Sequence, residues 1–205
     1  MKRRLWTAVI ALGVLLILGA AGLAVWNLNT DREAAESSEE LLEELVQAMP
    51  EPETAEAEPQ APPNTQPPED PTVMPTLPVD GRNYIGAISF PALGRELPVL
   101  ADFSMDALKI APAVYSGTVA GEDLVICGHN YRSHFGPINR LDKGAEVVLV
   151  TVDGTVHRYT VAATEVVSPF AVADVTSGEW DLTIFTCTLG GRTRFVLRCD
   201  LSNGS

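Results

Sequence analysis

The chain has 205 residues, 46% of them hydrophobic, and carries 14 Lys and Arg against 27 Asp and Glu for a formal charge of -13. That length holds one ordinary domain with additional segments and excludes a large multidomain enzyme, and the acidity excludes a sequence-independent grip on nucleic acid phosphates. Its three cysteines include no CxxC pair, so neither a dense disulfide framework nor a zinc site is expected and apolar burial must hold the core.

Three unlike segments follow one another. Residues 1–4 contain Lys2, Arg3 and Arg4, and residues 5–26 are uncharged, with Trp6 and Trp26 near the two ends. At about 1.5 Å rise per residue, a helix of that length covers a hydrocarbon core roughly 30 Å thick. Basic residues before it and acidic ones after it predict a single-pass signal anchor in the cell membrane, N-terminus cytoplasmic and the rest extracellular. The competing reading is a cleaved signal peptide, for which Ala20-Ala21-Gly22 supplies small residues. Such a peptide normally has an apolar region of about 7 to 15 residues, shorter than this one.

Residues 27–78 hold most of the negative charge, with 13 acidic side chains and only Arg32 as a base between Asp31 and Asp70. Leu41, Leu42, Leu45 and Val46 recur at helical spacing, which allows a helix over 32–49 that Pro50 must stop. From Pro50 to Pro78, prolines alternate with Glu, Ala, Thr and Gln, a composition unable to bury enough apolar surface to order itself. Residues 27–78 as a whole are read as an acidic, Pro-rich, disordered extracellular spacer between membrane and domain.

Residues 79–205 read as a succession of short strands, predicted at 87–90, 95–99, 123–127, 146–152, 155–167, 182–187 and 194–201. Asp153-Gly154 predicts a tight two-residue hairpin turn. Helical signal is limited to 105–111, with a cap at Asp102 or Ser104, and to 135–141. That many strands in so short a domain point to a closed or nearly closed barrel.

Three strand ends carry the chemistry. The apolar run Leu124-Val125-Ile126-Cys127-Gly128 delivers His129 at its exit, and Leu182-Thr183-Ile184-Phe185-Thr186 delivers Cys187. In the last strand Phe195, Leu197, Cys199 and Leu201 share an apolar face, so Arg194, Val196, Arg198 and Asp200 point the other way. If the last two strands pair as a hairpin, Arg194 comes beside Cys187. A thiol, an imidazole and a guanidinium together suit acyl transfer. The thiolate attacks, the imidazole carries protons, and the permanently charged guanidinium holds a carbonyl or the oxyanion formed from it. Arg192, in the turn, and Arg198, two pleats further on, are rivals of Arg194. Cys127 and Cys199 read as packing residues, with a disulfide between them left open, and His134 and His157 as exposed or half-exposed residues.

Over about residues 84–201 these features resemble the sortases, membrane-anchored transpeptidases of Gram-positive bacteria. The resemblance rests on Thr183-Ile184-Phe185-Thr186-Cys187, with Ile where the family has Leu, and on Gly128-His129 followed by Phe135-Gly136, Leu141 and Lys143-Gly144. It rests also on Arg194-Phe195-Val196-Leu197 and on the opening segments Ile85-Gly86-Ala87-Ile88, Leu97-Pro98-Val99 and Tyr115-Ser116-Gly117. It implies a mainly β fold, a closed eight-stranded barrel with one or two short helices. His129, Cys187 and Arg194 would be catalytic, with Thr186 and Arg194 meeting the substrate. It also implies partners: secreted proteins with a C-terminal Leu-Pro-x-Thr-Gly-like sorting motif, and an amine acceptor on a cell-wall precursor or a pilin lysine. No cofactor is expected. Calcium serves some family members, but Glu122, Asp123 and Glu165 do not make a calcium loop. The short stretch 168–181 leaves little room for the helical insertion of the class B type. A cysteine hydrolase using the same groups and a noncatalytic surface module are the alternatives.

Overall fold

The computed structural model describes residues 2–50 and 73–202. The chain forms two compact units, Met1–Glu33 and Ala34–Ser205. A continuous helix, α1 (Lys2–Ala48), supplies the described part of the first unit and the start of the second. Among the described residues, one helical stretch, Ile10–Ala48, is long and apolar enough to cross a membrane. The Pro-rich part of the expected spacer, 51–72, lies outside the described residues.

The second unit contains the barrel. Its strands are β1 (Leu77–Val79), β2 (Arg82–Phe90), β3 (Arg95–Leu100), β4 (Ala113–Ser116), β5 (Leu124–Gly128), β6 (Glu146–Thr151), β7 (Val156–Val167), β8 (Leu182–Cys187) and β9 (Arg194–Leu201), with a short helix α2 (Val172–Val175) between β7 and β8. Their order is β1-β2-β3-β4-β5-β8-β9-β7-β6, and β6 returns to pair with β2. Strand β1 meets only the start of β2, at Arg82 to Tyr84, while β6 takes Gly86 to Ser89. The closed ring is therefore the expected eight strands, β2 to β9, with β1 as a flap. Closure leaves the ring without a free edge. Neighbours are antiparallel except β3–β4 and β5–β8, which run parallel.

Alternation sorts the side chains. Leu124 and Ile126 of β5, Leu182 and Ile184 of β8, and Leu197 and Cys199 of β9 enter the main core with Ile85, Ile88, Phe90, Leu149 and Phe135. The other parity faces outward, where Val125 and Val196 pack with Val175 of α2. The apolar face expected for β9 is thus the barrel interior. Strands β1 and β4 and helix α2 were not expected from the residues alone. The helices expected at 105–111 and 135–141 are 3-10 turns, Ala107–Lys109 and Gly136–Arg140; Ser104 Oγ accepts from Ala107 N at 3.0 Å, as a cap should.

The β6–β7 turn is wider than a two-residue one. Gly154 N donates to Thr151 O at 2.9 Å and Thr151 N to Thr155 O at 3.0 Å, and Gly154 alone in the loop takes a positive φ, 85°. The Asp153 carboxylate accepts from Thr151 Oγ1 at 2.6 Å and from Thr155 N at 3.0 Å. Those bonds stabilise the three-residue form with one left-handed glycine.

Residues 27–48, placed in the spacer by composition, are helical. Within the second unit Ala34, Ser38, Leu41 and Leu45 are buried, a spacing that lies on one helical face. Leu41 and Leu45 join Val79, Tyr84, Leu100, Leu108, Ala111, Ala113 and Cys127 in a second apolar cluster. Leu45 is fully buried. Replacing it with Ala should lower the unfolding free energy of the barrel by about 2–5 kcal/mol, read by denaturant titration, whereas Val46→Ala on the exposed side should stay within about 0.5 kcal/mol.

Candidate active site

The outward parity of three adjacent strands sets the site. Parallel pairing of β5 with β8 places Gly128 opposite Thr186, so the next residue of each, His129 and Cys187, lie level on strands about 4.8 Å apart. Antiparallel pairing of β8 with β9 places Arg194 directly opposite Cys187. The three residues form one row, with Cys187 in the middle. Their parity is that of Val125, Phe185 and Val196, so all three side chains project from the outer face. All three are half-buried, and all three line one groove of about 230 Å³.

The floor and walls of that groove are largely apolar. Tyr115 and Phe185 form a T-shaped pair, ring centres 5.3 Å apart, and Phe103 meets Tyr115 in the same way at 5.2 Å. Leu108 and Met105 belong to one wall, Ala171, Val172 and Val175 to the other. The wall residues come from segments far apart in sequence, and only the barrel brings them together.

Several contacts hold the row in place. Gly128 permits a close approach, because a Cβ there would sit 2.6 Å from Phe135 Cδ2. Phe135 N donates to the His129 carbonyl at 3.1 Å, and Arg95 donates to the Ser133 carbonyl in the same loop. Thr186 Oγ1 donates to Gly128 O at 2.9 Å and is buried, so this hydroxyl ties the two strand ends that carry His129 and Cys187. The ring of Tyr131 lies 4.8 Å from that of His129, and His134 lies 5.4 Å behind Tyr131. Beyond Cys187, Thr188 N donates to Thr193 O at 3.0 Å and closes the turn into β9.

Of the three candidate arginines only Arg194 lines the groove, with Nη1 donating to Gly191 O at 3.1 Å and to Thr193 O at 3.2 Å. Arg192 is exposed in the turn. Arg198 is buried and bonded below the groove wall. His157 is half-buried as expected, but His134 is not exposed: it is fully buried behind the loop that follows His129. Its neighbours Ser133 and Phe135 are buried too, because the loop folds back on the barrel end. Tyr131, Val172 and Val175 were missed at the sequence level. Cys127 packs as expected, in the cluster of Tyr84 and Leu108, and its parity with His129 places it on the groove side.

Protonation differs among the titratable groups. Burial, and secondarily the cation of Lys109, hold the His129 imidazole below its ordinary value of 6.5. Burial pushes the Cys127 and Cys199 thiols up to about 12. Those two are free thiols on opposite faces of the sheet, Cys127 outward and Cys199 in the core. Among the described residues no group of His, Cys, Asp or Glu is arranged to hold a metal ion.

A family model described as a sortase domain matches residues 88–202. A search of curated proteins gave no match. Similar solved structures include sortase C from Clostridium perfringens SM101, 25% identical, covering 59% of this chain and 71% of that one with a TM-score of 0.52. A sortase D5 transpeptidase from Clostridium perfringens is 25% identical, covering 58% and 79% with a TM-score of 0.52. Sortase A from Corynebacterium diphtheriae, 23% identical over 60% and 63% with a TM-score of 0.55, shares the fold.

The burial difference among the thiols has a direct readout. Iodoacetamide at neutral pH should add one adduct to the folded protein, at Cys187, by peptide mass mapping. Adducts at Cys127 or Cys199 at a comparable rate would contradict the burial described above.

Proposed function

Because the chain belongs to the sortase family of cysteine transpeptidases, we propose that Cys187 is its nucleophile, His129 its proton carrier and Arg194 its carbonyl and oxyanion ligand. The observation that carries this reading is the single row across β5, β8 and β9, with Cys187 between His129 and Arg194 on the groove face. The donor is a secreted protein with a C-terminal Leu-Pro-x-Thr-Gly-like motif lying in the groove. The acceptor is an amine of a cell-wall precursor or of a pilin lysine. Residues 5–26 span the membrane with the N-terminus inside, and the domain 79–205 works outside.

The steps start from the unprotonated imidazole that burial favours at His129. A neutral imidazole at His129 takes the thiol proton as sulfur attacks the Thr carbonyl carbon of the donor. The oxyanion is held by the guanidinium. The Thr–Gly C–N bond breaks, the imidazolium gives its proton to the departing amine, and a thioester remains on Cys187. An incoming amine attacks that thioester, His129 takes its proton, and the new amide leaves as sulfur recovers the proton. Thr186 contributes by holding the β5 and β8 ends in register through its bond to Gly128 O.

Turnover assays test the reading first, on the whole chain in detergent or vesicles, with a sorting-motif peptide as donor. Cys187→Ala should form no thioester and give no turnover, and His129→Ala and Arg194→Met should each lower kcat/KM by about a hundredfold to ten-thousandfold. Wild-type product should shift from acid to amide as an amine acceptor is added; hydrolysis indifferent to the amine would make the enzyme a hydrolase instead.

The second measurement is the pH profile of kcat/KM. His129 must be unprotonated to take the thiol proton, and burial lowers its pKa, so activity should persist below pH 6.5 and fall only as pH drops through the lowered value. Lys109→Gln, which removes a nearby cation, should move that acid limb upward. A limb that does not move would detach Lys109 from His129.

A further inference from the structure

Helix α2 forms part of one groove wall, yet its sequence gives it little independent stability. It spans only Val172–Val175, has no side-chain N-cap bond, and is half β-branched. A single helical turn fixes several residues for few hydrogen bonds and does not persist alone in water. Two tertiary contacts hold it. Val175 is buried against Val125 and Val196 on the outer face of the sheet. The second contact is electrostatic and comes from Arg198.

The Arg198 side chain leaves β9 on the same face as Arg194 and is 3% exposed. Its Nη2 donates to the Asp174 carbonyl at 2.7 Å and to Glu165 Oε2 of β7 at 3.3 Å. Its Nη1 donates to Thr183 Oγ1 of β8 at 3.2 Å and to the Val175 carbonyl at 3.4 Å. The guanidinium thus joins three barrel strands to the last two carbonyls of α2. Those carbonyls have no partner within so short a helix, and a cation there also meets the negative end of the peptide dipoles. Glu165 supplies the counter-charge that makes burial of the cation tolerable. Nε alone has no hydrogen-bond partner.

We propose that Arg198 is a positioning residue. By pinning α2 to the sheet it fixes the groove wall of Ala171, Val172 and Val175, and through that wall it sets affinity for the polypeptide donor. The role rests on the sortase reading of the groove and differs from that of Arg194, which faces the reacting atoms. Both arginines extend from one strand face, four residues apart; one serves the chemistry and the other the wall.

The test compares Arg198→Met, Arg198→Lys and Thr183→Val in the full-length protein. Arg198→Met should raise KM for the donor peptide about tenfold while kcat stays within about twofold, because wall contacts act on binding and the row around Cys187 is untouched. Iodoacetamide labelling of Cys187 should keep its rate. Amide exchange in 171–176 should accelerate about tenfold or more, with β5, β8 and β9 unchanged. Arg198→Lys, which keeps the charge but not the fork, should recover part of the loss. Wild-type exchange in 171–176 of a folded Arg198→Met protein would overturn the proposal, and so would acceleration spread evenly over the barrel. If Arg198→Met does not fold, unchanged KM and exchange in both other variants overturns it. A wild-type protein that turns over no sorting peptide would sink the sortase donor reading, while exchange in 171–176 would still decide whether Arg198 holds the wall.

Discussion

The parallel pairing of β5 with β8 is the constraint on which the site depends. These strands are separated by more than fifty residues of chain, yet their register puts Gly128 opposite Thr186 and thereby His129 level with Cys187. A slip of one residue would reverse the faces and send the imidazole and the sulfur to opposite sides of the sheet. Apolar residues on both faces oppose that slip: Leu124, Ile126, Leu182 and Ile184 inside, Val125 and Phe185 outside. The Thr186 hydroxyl adds a bond at the last pair of the ladder, where a strand end would otherwise fray. Residues other than His129, Cys187 and Arg194 therefore decide whether those three share one space.

Charge at the groove follows the same economy of placement. Two arginines on one strand face occupy different dielectric surroundings. Arg194, at the strand start, bonds two turn carbonyls and borders the groove. Arg198, deeper on the strand, is enclosed by carbonyls, a hydroxyl and one carboxylate. A buried cation left without such partners would cost several kcal/mol. Its surroundings accordingly fix it, as a structural tie requires.

Much of this was legible from residue order, for a physical reason. Strands β5, β8 and β9 are bounded by turn residues and carry strict alternation or continuous apolar runs, so their extent and the inward face of Phe195, Leu197 and Cys199 could be read directly. The row of Cys187 and Arg194 followed from one hairpin. What escaped depended on contacts with no local signature. Strand β4 is four residues with a register shift beside Val114, too short and irregular for a period-2 pattern. Helix α2 packs through Val175 on Val125 and Val196 and bonds to Arg198, contacts with distant strands that its four residues do not signal. Polarity suggested an exposed His134, but the fold-back of its loop onto the barrel end buries it. The helix before Pro50 was signalled by Leu41, Leu42, Leu45 and Val46, but its packing was not, because carboxylates dominate the composition and the buried face is only Ala34, Ser38, Leu41 and Leu45.

The two groove walls are held by unlike means, and that difference bears on how such a site can vary. Leu108, in the wall that includes Met105, is backed by the apolar cluster containing Leu41, Leu45 and Tyr84. The opposite wall is backed by a small valine cluster and the Arg198 tie. Apolar packing resists displacement over a broad contact area, while a guanidinium tie concentrates the restraint in a few directional bonds. The floor, carrying His129, Cys187 and Arg194, belongs to the closed sheet and answers to neither wall. Changes of side chain at Val172 or in the 168–171 approach would therefore reshape that wall while the level of Cys187 with His129 stays set by the β5–β8 register. A row of candidate site residues built on strands and a wall built on a tethered segment place the fixed geometry and the variable lining on separate elements.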